Sequence, residues 1–227
     1  MARLCLLIPI ILLLFTRKRH RGKGLWVIYI YFFVDLITEL INTYYNHRFN
    51  ENFYLNWNLF NIIEYYLLAL FIRNLLRTKT LKIIILVFSL LFLVVAFASV
   101  ISGGYSKHYD SITNGLESIL LIIYSIFYLF EQISKPDHIF FYSIPEFWII
   151  VAILLYFSGT FFFNTYANGL IESNKSFQAQ YSAINNAFEI LKSLLFGVAM
   201  VVKGDAPINN ASRIDYSNLD EHLNLNR

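Results

Sequence analysis

Long apolar stretches separated by short polar connections account for most of this chain. A helix rises about 1.5 Å per residue and the hydrocarbon layer of a membrane is about 30 Å thick, so a run of about 20 apolar residues predicts a membrane-spanning helix. Six such runs follow a shorter one, and together they predict an all-α bundle of seven transmembrane helices. The short run is Leu4 to Phe15, and the longer spans are predicted at residues 25–45, 54–76, 81–102, 112–133, 146–168 and 177–202.

The short first run is followed directly by basic residues, beginning with Arg17, Lys18 and Arg19. A secretory signal peptide has the reverse order, with its basic residues before the apolar core. We therefore interpret this run as a first helix. It is short for the membrane, and either its flanking arginines, by reaching the interface, or local thinning of the bilayer could close the gap. The predicted domains are a seven-helix transmembrane domain at residues 1–202 and a polar cytoplasmic tail at residues 203–227.

Lysine and arginine are unevenly distributed between the two predicted sides of the membrane. With the N-terminus outside, 13 of them lie on the inner side and 4 on the outer side, and Lys192 lies within the membrane. Because cytoplasmic loops carry an excess of basic residues, this distribution predicts an external N-terminus and an internal C-terminus. The predicted location is the cell inner (plasma) membrane, with several passes through it.

Composition excludes several classes of protein. The chain is 57% hydrophobic and only 15% charged, whereas soluble domains are about a quarter charged. The net charge of +3 lies at membrane boundaries and does not indicate nucleic-acid binding. Cys5 is the only cysteine, which excludes an intramolecular disulfide and a cysteine-based metal site. The predicted partners are the lipid bilayer and a cytoplasmic or membrane signalling protein.

Polar residues interrupt the last apolar segment, which runs from Tyr181 to Met200. Asn185, Glu189 and Lys192 follow one another at i, i+4 and i+7, on one face of a helix. A charged side chain at the centre of a membrane helix costs about 2.5 to 3.5 kcal/mol on insertion scales, so such groups face protein or water. The pattern therefore predicts a polar site between helices.

Other segments carry polar positions at a matching depth. The span at 25–45 has a polar stripe, and the pattern Asn-x-x-Glu occurs in three further spans, as Asn61/Glu64, Asn114/Glu117 and Asn186/Glu189. Counted from the span ends, these residues share one layer between the outer surface and the midplane. The stripe consists of Asp35, Thr38, Glu39 and Asn42. The predicted ligand-binding residues are Asp35, Glu39, Asn61, Glu64, Glu117, Asn185, Glu189 and Lys192.

Structural roles are an alternative for individual members of this layer. Membrane asparagines often bridge helices, each bond contributing about 0.6 kcal/mol on average. Glu189 and Lys192, at i and i+3, could neutralise each other. Five acids with one obvious base are harder to explain in this way, and we expect several to be protonated, hydrated or paired with an external cation.

Residues outside this layer are interpreted as structural. The span at 81–102 carries only Ser89 and Ser99 as polar core residues, which predicts a lipid-facing or packing helix. Glu131 and Glu146 lie near the inner interface and are interpreted as boundary charges. The tyrosines and tryptophans are interpreted mostly as interfacial or packing residues.

Motifs for common enzymes are missing from the sequence. All five histidines lie in predicted loops or the tail, and there is no H-E-x-x-H, G-x-S-x-G or glycine-rich phosphate loop. We therefore expect no enzymatic activity, no catalytic residue, no metal site and no cofactor.

Four segments carry a resemblance to a known group of proteins. They read NLFNIIEYYLLALF, ESILLIIYSIFYLFEQI, EFWIIVAILLYFSGTFFF and INNAFEILKSLLFGVAM. They resemble small uncharacterised bacterial seven-helix membrane proteins thought to act in sensory signalling, and the resemblance implies a sensory role. The architecture is also similar, at the level of the fold, to seven-helix receptors and opsins. Lys192 resembles the retinal-binding lysine of microbial rhodopsins, but Phe188 stands where that family has an aspartate.

These observations favour a membrane sensor or receptor. An outward-facing polar pocket would bind a small ligand, cation or proton, and a partner would receive the signal. The first alternative is a secondary transporter or a proton or cation pathway, because titratable groups at this depth suit coupling. Further alternatives are a retinal-binding, opsin-like protein and a structural membrane subunit.

Overall fold

The computed structural model describes residues 24–49, 54–101, 110–134, 143–166 and 175–202. Within these ranges the chain forms six α-helices and no strand, and each helix is long and apolar enough to cross a membrane. The helices are α1 (Leu25–Phe49), α2 (Tyr54–Leu75), α3 (Lys79–Ile101), α4 (Ser111–Ser134), α5 (Pro145–Tyr166) and α6 (Lys175–Val201). The prediction of an all-helical, multi-pass membrane protein is confirmed. The predicted first helix, Leu4 to Phe15, and the tail at 203–227 lie outside the described residues.

The helix ends agree with the predicted spans to within two residues, except at the end of α1. This helix continues to Phe49 instead of ending at residue 45. The added turn contains His47 and Arg48, which are polar enough for the membrane interface. A positive charge in the last turn also interacts favourably with the helix dipole, which supports this extension.

Five of the helices surround a common axis. α4 packs along α5, α5 along α6, α1 along α2, and α2 against α4. Aromatic side chains close the remaining side between α1 and α6, where Phe32 and Phe196 meet edge to face with their ring centroids 5.3 Å apart. Tyr31 also meets Phe196, at a centroid distance of 6.2 Å. The seam between α1 and α6 is therefore made by side chains.

α3 lies at the periphery of the bundle. It is the most apolar of the six helices and the least buried, and it packs against α2 and α4. Its buried side includes Phe92, which stacks on Tyr65 of α2 with ring centroids 3.9 Å apart. The hydroxyl of Ser89 shares a hydrogen bond of 3.0 Å with the Tyr65 hydroxyl. These observations agree with the prediction of a lipid-facing or packing helix.

A glycine allows the close approach of α5 and α6. A β-carbon on Gly159 would lie 2.1 Å from the ring of Phe188, so a larger residue here would displace that ring. Small residues at helix interfaces allow membrane helices to approach closely. Gly159 therefore acts as a packing position between α5 and α6.

Glu131 has a more specific role than the boundary charge that the sequence indicated. Its carboxylate accepts hydrogen bonds from the backbone N–H groups of Arg77 and Thr78, at 2.9 and 2.8 Å, and from the Thr78 hydroxyl. Thr78 directly precedes α3. Glu131, a residue of α4, thus satisfies backbone donors at the start of α3, which would otherwise lack partners.

Apolar side chains close one half of the bundle. This half, called the sealed half below, comprises residues 25–32 of α1, 65–75 of α2, 120–134 of α4, 145–153 of α5 and 193–201 of α6. Its interior contains fully buried residues from every one of these helices. They include Ile28, Leu68, Ile72, Leu121, Tyr124, Ile153, Phe196 and Ala199. The other half of the same five helices, called the cavity half, carries the polar positions.

Candidate functional site

A cavity of about 160 Å³ lies in the cavity half, between α1, α2, α4, α5 and α6. All eight predicted ligand-binding residues line it. The lining comprises Asp35, Thr38, Glu39, Asn42, Trp57, Phe60, Asn61, Glu64, Asn114, Glu117, Tyr156, Phe157, Asn164, Tyr181, Asn185, Asn186, Glu189 and Lys192. The helical spacing thus brings the polar stripes of separate segments around one space. That these residues bind a ligand stays a prediction.

Lys192 forms the floor of the cavity, next to the sealed half. Its ammonium donates a hydrogen bond of 2.9 Å to the Tyr31 hydroxyl and lies 3.1 Å from a carboxylate oxygen of Glu189. A carboxylate oxygen of Glu64 is 3.7 Å away. The ammonium also lies 4.0 Å from the ring centroid of Tyr156, in cation–π geometry. One buried side chain of α6 therefore contacts α1, α2 and α5.

Tyr31 is a site residue that the sequence analysis missed. It is completely buried, and its hydroxyl donates to Glu64 at 2.9 Å while it accepts from Lys192. Tyr31 precedes Asp35 by one helical turn, so it extends the polar stripe of α1 toward the sealed half. This spacing could have identified Tyr31 as a site residue. Tyrosine, however, is common both at membrane interfaces and in packed cores, so the sequence does not distinguish this position from a structural one.

Amide side chains bridge neighbouring helices around the cavity. Asn56 of α2 donates a hydrogen bond of 2.9 Å to Asn42 of α1. Asn61 of α2 donates to the side-chain oxygen of Asn114 of α4. The structural role considered for membrane asparagines therefore applies to Asn61, whose amide joins two walls of the cavity.

A hydrogen bond also joins the other wall, between α5 and α6. The Tyr181 hydroxyl of α6 donates to the side-chain oxygen of Asn164 of α5, at 3.3 Å. Both residues line the cavity. Neither was among the predicted site residues. Asn164 could have been identified from the sequence, because it lies in the polar second half of the span predicted at 146–168.

Glu64 and Glu189 each lie beside the ammonium of Lys192. Two other acids of the cavity, Glu117 and Asp35, have buried oxygens without a hydrogen-bond partner among the described residues. Glu117 is only 2% exposed, and one of its carboxylate oxygens has no hydrogen-bond partner among the described residues. The same holds for one carboxylate oxygen of Asp35. A buried polar group without a partner costs about 1 to 3 kcal/mol. These two acids are therefore the least satisfied part of the site.

The charges of the cavity are unbalanced. Among the described residues that line it there are five carboxyl groups, and Lys192 is the only lysine or arginine. The five are Asp35, Glu39, Glu64, Glu117 and Glu189. Such a site favours a ligand that brings positive charge or hydrogen-bond donors, because carboxylate oxygens only accept hydrogen bonds.

The acids do not form a cluster suited to a metal ion. No group of three or more His, Cys, Asp or Glu side chains within the described ranges is arranged to hold one. No protein-family model, curated protein or solved structure matches this chain. The inference of its function therefore rests on the chemistry of the cavity.

Proposed function

We propose that this chain is a membrane sensor or receptor, in which a small ligand enters the cavity and changes the packing of the helices. The observation that carries this proposal is the cluster at the cavity floor, where Lys192 joins α6 to Tyr31 of α1 and Glu64 of α2. A ligand that competes for these contacts would act directly on the interfaces between helices. A signalling partner in the cytoplasm or the membrane would receive the change.

The proposed topology has seven helices, an external N-terminus and an internal C-terminus. Leu4 to Phe15 would supply the first helix. Arg77, Lys79 and Lys82 lie at the connection between α2 and α3, at the opposite end of the bundle from the cavity. Since basic residues favour the cytoplasmic side, their position supports a cavity that faces the exterior of the plasma membrane.

The seam between α1 and α6 is the proposed route from ligand to partner. It consists of side-chain contacts, namely the hydrogen bond from Lys192 to Tyr31 and the rings of Phe32 and Phe196. A ligand shifts a conformational equilibrium only by its difference in affinity for the two states. A ligand that draws Lys192 away from Tyr31 would favour a state with a looser seam.

Transport of a proton or cation is the second candidate function, favoured by the ionisable residues at the cavity floor. It would require the sealed half to open, and there Leu68, Leu121 and Ile153 are fully buried in the present state. Flux into liposomes distinguishes the two functions. A transporter would move its substrate, and Glu189→Gln would abolish this movement, whereas a sensor would show no flux.

A distance measurement tests the proposed sensor. Spin labels would be placed on Ile133→Cys of α4 and Val201→Cys of α6, two exposed positions in the sealed half, after Cys5→Ser removes the native cysteine. The full chain in lipid nanodiscs would be screened by thermal shift against pH steps, inorganic cations, small organic ions and amphiphiles. We expect a stabilising compound to change the distance between the labels.

The control for this experiment carries the same labels together with Lys192→Ala, which removes the floor cluster and should abolish the change in distance. The proposal is wrong if compounds stabilise the protein without changing the distance between the labels. It is also wrong if no condition in the screen changes stability.

A further inference from the structure

Glu117 is the feature of the cavity that a ligand would explain best. It projects from α4, opposite the cluster formed by α1, α2 and α6, and it is 2% exposed. Glu64 and Glu189 have the ammonium of Lys192 beside them, while an oxygen of Glu117 has no hydrogen-bond partner among the described residues. A buried carboxyl on a cavity wall with an unused acceptor marks the place for a donor supplied by a ligand.

We propose that the cavity binds a small organic cation, a protonated amine or a guanidinium, whose positive group lies against Glu117 on the acidic wall of the cavity. This inference rests on the proposed function, since it names the class of ligand that the sensor would recognise. Both acids line the cavity and both have a buried oxygen without a partner in the described part of the chain. A ligand's N–H group donates to the carboxyl group of Glu117, and the charge of Asp35 adds to the attraction of the cavity for a cation.

The surroundings of Lys192 show how this cavity holds a positive group. Its ammonium lies between the carboxylate of Glu189, at 3.1 Å, and the ring of Tyr156, at 4.0 Å from the centroid. Trp57 and Phe60 provide further aromatic surface on the wall. A ligand would meet the same pair of surfaces, carboxylate and aromatic ring, which together suit alkylammonium and guanidinium groups.

Size and geometry separate an organic cation from a metal ion. A cavity of about 150 Å³ holds one benzene-sized molecule in an engineered protein, and the present cavity is about 160 Å³. A metal ion needs several ligands at short distances around one point, and no such group occurs in the described residues. The site therefore fits a molecule that spreads its hydrogen bonds over separate acids.

The test measures binding of methylammonium and methylguanidinium to the full chain in nanodiscs, by thermal shift at constant ionic strength. We expect both cations to raise the melting temperature with saturation, and magnesium chloride to have no such effect. Glu117→Gln should weaken binding about ten- to a hundredfold, as expected for the loss of a hydrogen bond to a charged group. Glu131→Gln is the matched control, because it makes the same change on the same helix outside the cavity, and it should bind normally.

Asp35→Asn provides a second variant in case Glu117→Gln does not fold, and it should also weaken binding. Equal binding by wild type and either folded variant would overturn the inference. Stabilisation by acetate or urea, without an effect of either cation, would overturn the class of ligand but leave the proposed sensor intact. If neither cation stabilises the protein, the inference is wrong, while the distance measurement with the wider screen still decides the proposed function.

Discussion

The two halves of the bundle hold the same five helices together in different ways. In the sealed half, buried residues such as Leu121, Ile153 and Phe196 fill the interior. In the cavity half, hydrogen bonds and ion pairs join the helices around about 160 Å³ of open space. Lipid tails are as apolar as leucine, so close packing and polar bonds, more than hydrophobic burial, associate helices in a membrane. The sealed half is thus suited to one fixed packing, and the cavity half to contacts that a ligand can exchange.

The largest expected effect comes from the side chain at the boundary between these halves. Lys192→Ala removes the positive charge shared by Glu64 and Glu189 and leaves one buried and one half-buried acid without it. Removing one partner of a buried ion pair costs about 3 to 5 kcal/mol. Denaturant unfolding in mixed micelles should show a loss of this size, and Lys79→Ala, at an exposed lysine, should show almost none.

A double-mutant cycle sharpens this prediction. In the Lys192→Ala background, Glu189→Gln should restore part of the lost stability, because it removes one of the stranded charges. The two substitutions would then be non-additive, as expected for residues in direct contact. Additive losses would mean that the ion pair does not hold the floor of the cavity.

The second prediction concerns the sealed half. Leu121 is fully buried on α4, one turn beyond Glu117. Leu121→Ala should cost about 2 kcal/mol, the lower end for buried leucines, because the unfolded side chain finds apolar lipid or detergent around it. Denaturant unfolding measures this loss of stability. The methylguanidinium concentration that gives half of the maximal thermal shift should equal that of the wild type. A higher concentration would mean that the two halves are not separate in function.

Sequence periodicity could predict which helix faces meet, but not which atoms touch. The spacing of Asp35 and Glu39 predicts a shared polar layer, and both residues line the cavity. The contact of Lys192 with Tyr31 depends on the side-by-side placement of helices that are far apart in the chain. Capping by Glu131 likewise joins α4 to the start of α3. Such contacts depend on helix order and rotation, which the pattern of one segment does not contain.

The third prediction tests that capping contact. Glu131→Ala removes the acceptor for the backbone N–H groups of Arg77 and Thr78. Loss of a helix cap costs about 1 kcal/mol, so we expect a small decrease in stability. Hydrogen exchange should increase at the start of α3, while the cavity binds methylguanidinium as before. Unchanged exchange at Arg77 and Thr78 would contradict the capping role.

The smallest expected effect has the opposite sign. Asp35 has a buried oxygen without a partner among the described residues and shares its cavity with four other carboxyl groups, so its charge opposes the ligand-free state. Asp35→Asn should therefore stabilise the ligand-free protein by about 0.5 to 2 kcal/mol, as often seen when a functional site is relieved of strain. Asp110→Asn makes the same substitution at the start of α4, where Asp110 caps the helix through Thr113, and should be nearly neutral because both residues cap well. Unfolding without ligand compares the two variants. A loss of stability in Asp35→Asn, with Asp110→Asn unchanged, would mean that Asp35 supports the packing of α1. The cavity half would then be held in one fixed packing like the sealed half, and the contrast between the two halves would no longer hold.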